Sequence, residues 1–143
     1  MQDPILSITS TKRLYSTRGI LIGSILAGPI VAGYMMSQNS TALELRDQTK
    51  IWLYSIGGFI VITVLAIVLP ESVPAISFVF ANAAFGYYAA QSLQGKHIEQ
   101  HMVNGGRLYS AWRSAGIALL FTALLVILVL GAFLLADLYS GRL

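Results

Sequence analysis

Polar residues along this chain come in short clusters, and apolar ones come in long blocks. Ile51–Leu69 and Ala75–Leu93 carry no charged side chain, and Ser114–Ala136 reads SAGIALLFTALLVILVLGAFLLA. Each block is close to the roughly 20 residues that a helix needs to span hydrocarbon. Helices are the expected spanning form, because lipid offers backbone N–H and C=O groups no outside partner. Three such blocks in 143 residues leave nothing to cover them, which sets aside a soluble bundle with buried core helices.

A fourth apolar stretch, Gly23–Gly33, reads GSILAGPIVAG and carries Gly-Pro at its centre. Pro29 removes a backbone donor and clashes with the preceding turn, while Gly28 can take the dihedrals of a tight reversal. The segment either enters the membrane and returns, or crosses as a kinked helix with Gly19, Gly23 and Ala27 as a small-residue packing face. Charge favours the first. With a re-entrant segment, Lys12, Arg13, Arg18, Arg46, Lys50, Lys96, Arg107 and Arg113 share one side and only Arg142 lies opposite. A fourth crossing would split them almost evenly, against the enrichment of Lys and Arg in short cytoplasmic loops. Lys12, Arg13 and Arg18 before an apolar stretch also fit a signal peptide, but Ile30–Ala32 makes a poor cleavage site.

The middle of the chain reads as a long helical hairpin. Thr41-Ala-Leu-Glu44 has the form of a capping box, and nothing interrupts the helical pattern from there to Pro70. That helix would be about 40 Å long, with its charged first turns projecting beyond the lipid. Pro70–Pro74 is a short reversal, and Asn104-Gly105-Gly106 resembles a glycine stop to the next helix. Reflection about Ser72 sets Gly58 against Gly86, Tyr54 against Ala90, Ile51 against Leu93 and Leu65 against Val79. It also places Asn82 beside Ile62 and Thr63, and brings together three cytoplasmic pairs: Asp47 with His97, Arg46 with Glu99, and Glu44 with His101.

The expected architecture is therefore an all-α integral membrane protein. It has three transmembrane helices plus an N-terminal Gly-Pro re-entrant hairpin, the alternative being four transmembrane helices with the first kinked. One membrane domain covers residues 1–143. Its parts are a cytoplasmic N-terminus (1–18), the re-entrant or kinked segment (19–38), and helices over 42–69, 75–103 and 110–137.

Composition narrows the chemistry. Only 10% of residues are charged against 56% hydrophobic, and cysteine is absent, so disulfides and thiolate sites are excluded. The net charge of +3 comes from basic residues flanking the apolar blocks singly or in pairs, which suits topology and headgroup contact. No basic stripe tracks a phosphate backbone, so nucleic acid is not an expected partner.

Asn82 is the main polar side chain deep in the third block, suited to an interhelical hydrogen bond with Thr63 or to the lining of a path. Gly28, Pro29, Gly58, Thr63, Asn82 and Gly86 are accordingly the candidate packing or pore-lining residues. His97 and His101 stand one turn apart and form a weak candidate metal pair, lacking a third strong ligand and the His-Glu order of zinc proteases. A pH-responsive contact of these histidines with Asp47 and Glu44 is the other reading. Leu-Tyr-Ser recurs at 14–16, 53–55, 108–110 and 138–140; the flanks differ, and interfacial tyrosine explains the pattern without an internal repeat. Trp52, Arg107, Tyr109, Trp112 and Arg113 are the candidate lipid-interface residues. Nucleophile, base and oxyanion donor cannot be assembled, so neither enzyme activity nor a cofactor is expected.

The run LYSTRG, then GSILAGPIVAGY, and later QGKHIEQHMVNGGRLYSAWRSAGI resembles small bacterial multi-pass inner-membrane proteins with no established activity. The resemblance implies the cytoplasmic membrane of a bacterium and no specific chemistry. Two functions stay open: an accessory, assembly or immunity-type partner of another membrane protein, or a small homo-oligomeric pore or membrane-permeabilising effector.

Overall fold

The structure is a computed structural model and describes residues 12–140. Arg142 lies outside the described residues. In chain order the elements are β1 (Arg13–Leu14), α1 (Thr17–Ala27), α2 (Pro29–Ala42), α3 (Gln48–Val68), α4 (Ile76–Val103), β2 (Arg107–Leu108) and α5 (Ala111–Tyr139). The architecture is all-α apart from the two-residue strands.

Local chemistry explains the short pair α1 and α2. Ser16 caps α1 by accepting the Gly19 N–H at 3.0 Å, which satisfies one of the free donors of the first turn. Gly28 ends α1 with φ 79° and ψ −172°, a combination essentially confined to glycine. Pro29 then opens α2 at the one helical position where its missing N–H is no loss. The result is a reversal. Gly23 of α1 lies against Met35 and Val31 of α2, and the backbone of Tyr15 is hydrogen-bonded to Asn39. In a single kinked helix those last two residues would stand about 36 Å apart.

This hairpin is the core of the molecule. Ile20, Val31, Ala32, Met35 and Met36 are fully buried. Around them, α1 lies between α4 and α5, and α2 packs on α3. The long helices are buried sparingly. Only Ile51 and Ser55 of α3, and Ser114 and Ala118 of α5, are enclosed, while Ile67, Val68, Leu128 and Phe133 stand 61–77% exposed. Water tolerates no apolar surface on that scale in a monomer. Two helices, α3 and α5, are long and apolar enough to cross a membrane. The 28-residue α4 is long enough but less apolar. It encloses Gly86, Ala89, Ala90, Gln94, Ile98 and His101, a stripe at helical spacing turned to the hairpin.

Two features depart from the sequence expectation. The helix expected from residue 42 starts at Gln48. Thr41 belongs to the end of α2, where its hydroxyl donates to the Ser37 carbonyl at 3.0 Å, and Glu44 has φ 58° in the turn between the helices. The local capping pattern loses because Asn39 and Ser40, immediately before Thr41, are tied into the core. The Gly58–Gly86 seam is also absent. Gly58 lies against the Phe85 ring, and Gly86 lies against Ser24 and the Ile20 carbonyl. Helix α1 occupies the small-residue face of α4, and only α1 with its own glycines and Ser24 approaches that closely.

Helix α4 ends as its Asn-Gly-Gly sequence suggests. The Gly105 N–H bonds the Met102 carbonyl at 3.0 Å and the Gly106 N–H bonds the His101 carbonyl at 2.8 Å, with Gly105 at φ 77°. This is the Schellman arrangement.

Candidate functional site

Three polar features are held by this frame. The first locks the open end of the hairpin. Asn39 Oδ1 accepts the Tyr15 N–H at 2.7 Å, and Asn39 Nδ2 donates to the Tyr15 carbonyl at 2.8 Å and to Gln94 Oε1 at 3.1 Å. Gln94 Nε2 donates to the Met36 carbonyl at 2.7 Å and to Ser40 Oγ at 2.9 Å. The Ser40 hydroxyl donates to the Asp47 carboxylate at 2.6 Å. Asn39, Ser40 and Gln94 are enclosed, and the bonds join β1, α2, α4 and the turn before α3. Such a connected network fixes one arrangement of the elements, since each broken member leaves others unpaired.

The second feature joins the segments that lead into α1 and α5. Strands β1 and β2 pair in parallel, Arg13 opposite Arg107 and Leu14 opposite Leu108, and the Tyr109 N–H donates to the Leu14 carbonyl at 2.7 Å. The segments 13–16 and 107–110 are both Arg-Leu-Tyr-Ser, and they lie side by side, each leading into a helix. Tyr15 and Tyr109 stack at 4.7 Å. The Arg113 guanidinium sits 4.2 Å above the Tyr109 ring, a cation–π contact, while its Nε donates to the Tyr15 hydroxyl at 3.3 Å. A cavity of about 520 Å³ opens beside this cluster, walled by Lys12, Arg13, Tyr15, Tyr109 and Arg113 and floored by α2.

The third feature lies at the hairpin tip. Gly28 and Pro29 reach a hollow of about 470 Å³ lined by Phe59, Ile62, Asn82 and Leu125 among others. Tip polar groups are largely satisfied by neighbours. The Thr122 hydroxyl shares its one proton between the Leu26 and Ala118 carbonyls, each at 3.0 Å, and the Ser24 hydroxyl donates to the Asn82 carbonyl at 2.7 Å. Asn82 Oδ1 is enclosed without a partner, near Gly28.

The residues singled out by sequence divide among these features. Gly28, Pro29, Asn82 and Thr63 meet at the hollow, although Thr63 makes no bond to Asn82. Gly58 and Gly86 serve separate contacts. The three cytoplasmic pairs do not form: Asp47 is taken by Ser40, Glu44 reaches Lys12 at 3.5 Å, and Arg46, His97 and Glu99 are exposed. Their failure follows from the late start of α3, which leaves residues 44–47 in a turn against α2 rather than alongside α4. His101 turns inward, its Nε2 3.3 Å from the Arg107 carbonyl. Among the described residues no cluster of three metal-ligating side chains occurs. Of the residues expected at a lipid interface, Trp112 is 86% exposed, Trp52 is half-buried near Gly33, Arg107 is exposed, and Tyr109 and Arg113 belong to the aromatic cluster.

Sequence reading passed over Asn39, Ser40 and Gln94. An amide on each of two otherwise small or apolar helix faces is the available signal: Asn39 after Val31, Ala32, Met35 and Met36, and Gln94 after Gly86, Ala89 and Ala90. It also stopped at Leu-Tyr-Ser, although the preceding arginine sets two of the four copies apart. No family model, curated protein or solved structure matches the chain.

Proposed function

We propose that the protein is a non-enzymatic integral membrane protein of the bacterial inner membrane that acts as an accessory, assembly or immunity-type partner of another membrane protein. In this reading α3, α4 and α5 cross the bilayer, α1 and α2 enter from the cytoplasmic side and return, and the N-terminus is cytoplasmic. Support comes from the Tyr15–Asn39 bonds, which hold both hairpin ends together, and from the eight Lys and Arg residues at that end of the bundle. Non-helical backbone at membrane depth is tolerated when buried in protein, and the Gly28 reversal has α3, α4 and α5 around it.

The observation that carries the functional part is the occupation of the enclosed polar network. Tyr15, Asn39, Ser40, Gln94 and Asp47 bond one another, which leaves a braced body whose role is to present surfaces. One observation favours the second reading, a homo-oligomeric pore: Asn82 Oδ1 stands unpartnered beside the Gly28 break in the backbone, and enclosed polar groups at membrane depth often mark a path. Against it, the packed Ile20, Met35 and Met36 lie between the hollow and the cationic end.

Ion flux through the reconstituted full chain separates the readings. The partner reading expects flux no greater than that of empty liposomes, together with a defined membrane protein that co-purifies at fixed stoichiometry. Flux abolished by Asn82→Leu or Pro29→Ala would establish the pore instead. The absence of cysteine makes topology testable: Gln38→Cys and Ser110→Cys should label from one face with an impermeant maleimide, and Ser72→Cys from the other.

A further inference from the structure

We propose that the cavity between β1, α2 and the start of α5 is a binding site for a phosphate ester, with Arg113 as its oriented fork and Lys12 and Arg13 as flanking charges. Three cations line this one cavity. Among the described residues the one acid in contact with these cations, Glu44, reaches Lys12 alone, at 3.5 Å and with both side chains well exposed, a contact too weak to neutralise the group.

Arg113 is prepared for an anion. Its Nε is taken by the Tyr15 hydroxyl and its face by the Tyr109 ring, so its plane is fixed. Among the described residues neither terminal nitrogen has a hydrogen-bond partner, and these are the donors of the planar fork that matches phosphate oxygens. The Tyr15 hydroxyl accepts from Arg113 and still has its own proton to donate. The support beneath is rigid. Tyr15 is stacked on Tyr109, and both its backbone groups are held by Asn39, so little order remains to be imposed on binding. Tyr34, Gln38 and Thr41 share one face of α2 at spacings of four and three residues and supply the neutral floor.

Two arginines and a lysine exceed what one carboxylate needs, and they suit a phosphate. The volume of about 520 Å³ falls among ligand pockets and leaves room for the alcohol to which the phosphate is esterified. The same chemistry is offered by the headgroup of an anionic glycerophospholipid and by a free phosphate monoester. The site does not depend on the partner reading above, and its failure would leave that reading intact.

The test uses the full chain in neutral detergent, titrated calorimetrically with short-chain phosphatidylglycerol, short-chain phosphatidylcholine and glycerol phosphate. Phosphatidylglycerol or glycerol phosphate should bind saturably and at least about tenfold more tightly than the zwitterionic lipid, whose choline meets the same cations. Binding of phosphatidylglycerol alone assigns the site to a lipid headgroup; equal binding of glycerol phosphate assigns it to a soluble ester. Arg113→Gln should weaken binding about tenfold and Arg113→Lys about fivefold, because lysine keeps the charge and loses the fork. Arg46→Gln, an exposed arginine outside the cavity, should change nothing. If Arg113→Gln lowers the unfolding midpoint, Arg13→Gln at an exposed strand position provides the same test, with a loss of about threefold. Absence of saturable binding by either anion, or equal losses in Arg46→Gln and Arg113→Gln, would overturn the proposal.

Discussion

Asn39→Leu tests the lock at the open end of the hairpin. The substitution keeps the bulk of the side chain and deletes three bonds: one from the Tyr15 N–H, one to the Tyr15 carbonyl and one to Gln94 Oε1. A net contribution of about 1 kcal/mol for each bond gives a loss of about 3 kcal/mol. Interhelical hydrogen bonds in membrane proteins average about 0.6 kcal/mol, which sets a floor near 2 kcal/mol for the three. Enclosed donors and acceptors left unpaired add to the loss, since each costs about 1–3 kcal/mol when no water reaches it. An expected loss of at least about 2–3 kcal/mol follows, larger for each group that water does not reach. Reversible unfolding in mixed micelles, followed by far-UV circular dichroism, measures it. A second probe reports the hairpin itself: Met36→Cys, fully enclosed at 0% exposure, should react slowly with a maleimide and faster once Asn39 is leucine. Gln38→Leu, an exposed neighbour on the same helix, is the control. A loss below about 0.5 kcal/mol for Asn39→Leu, no larger than for Gln38→Leu, would refute the idea that this network holds the hairpin shut.

Gly28→Ala should lower stability by about 1–3 kcal/mol, because φ 79° with ψ −172° excludes a Cβ; the same unfolding titration reads it, and a neutral result would mean that the reversal is not formed. Thr122→Val should cost about 1 kcal/mol by removing the hydroxyl that serves the Leu26 carbonyl, whereas Thr122→Ser should retain most of that stability.

The long apolar helices are legible because their signal is additive: α3 and α5 declare themselves by length and composition, whatever they touch. The break at Gly28-Pro29 is legible because glycine and proline act on their own backbone. Contacts set by a third element are not. Reflection about Ser72 assumes that α3 and α4 pair glycine to glycine, but α1 takes the small-residue face of α4, so Gly86 faces Ser24 and Gly58 meets the Phe85 ring of α4 instead. The start of α3 was misplaced for the same reason. Thr41 and Glu44 carry a sound local cap signal, and the bonds from Asn39 and Ser40 to Tyr15, Gln94 and Asp47 outweigh it. At the candidate site the stacked Tyr15, Tyr109 and Arg113 lie up to 98 residues apart in sequence, and only the pairing of the two Arg-Leu-Tyr-Ser segments reveals their neighbourhood.

That pairing bears on topology independently of charge. A parallel bridge between 13–14 and 107–108 starts α1 and α5 in the same direction from the same end of the bundle. Helix α5 continues for 29 residues, while α1 stops after 11, so the hairpin turns at mid-height beside a helix that goes on. A mid-height turn exposes the last carbonyls of one helix and the first N–H groups of the next, which is intolerable in hydrocarbon without partners. Each element of the tip relieves part of that cost. Thr122 serves the Leu26 carbonyl, Gly28 returns its N–H to Ser24 at 2.8 Å, and Pro29 has no N–H to satisfy. Asn82 Oδ1 is enclosed near Gly28 without a hydrogen-bond partner, and no side chain caps the start of α2, so these groups are the part of the cost that the tip leaves unrelieved.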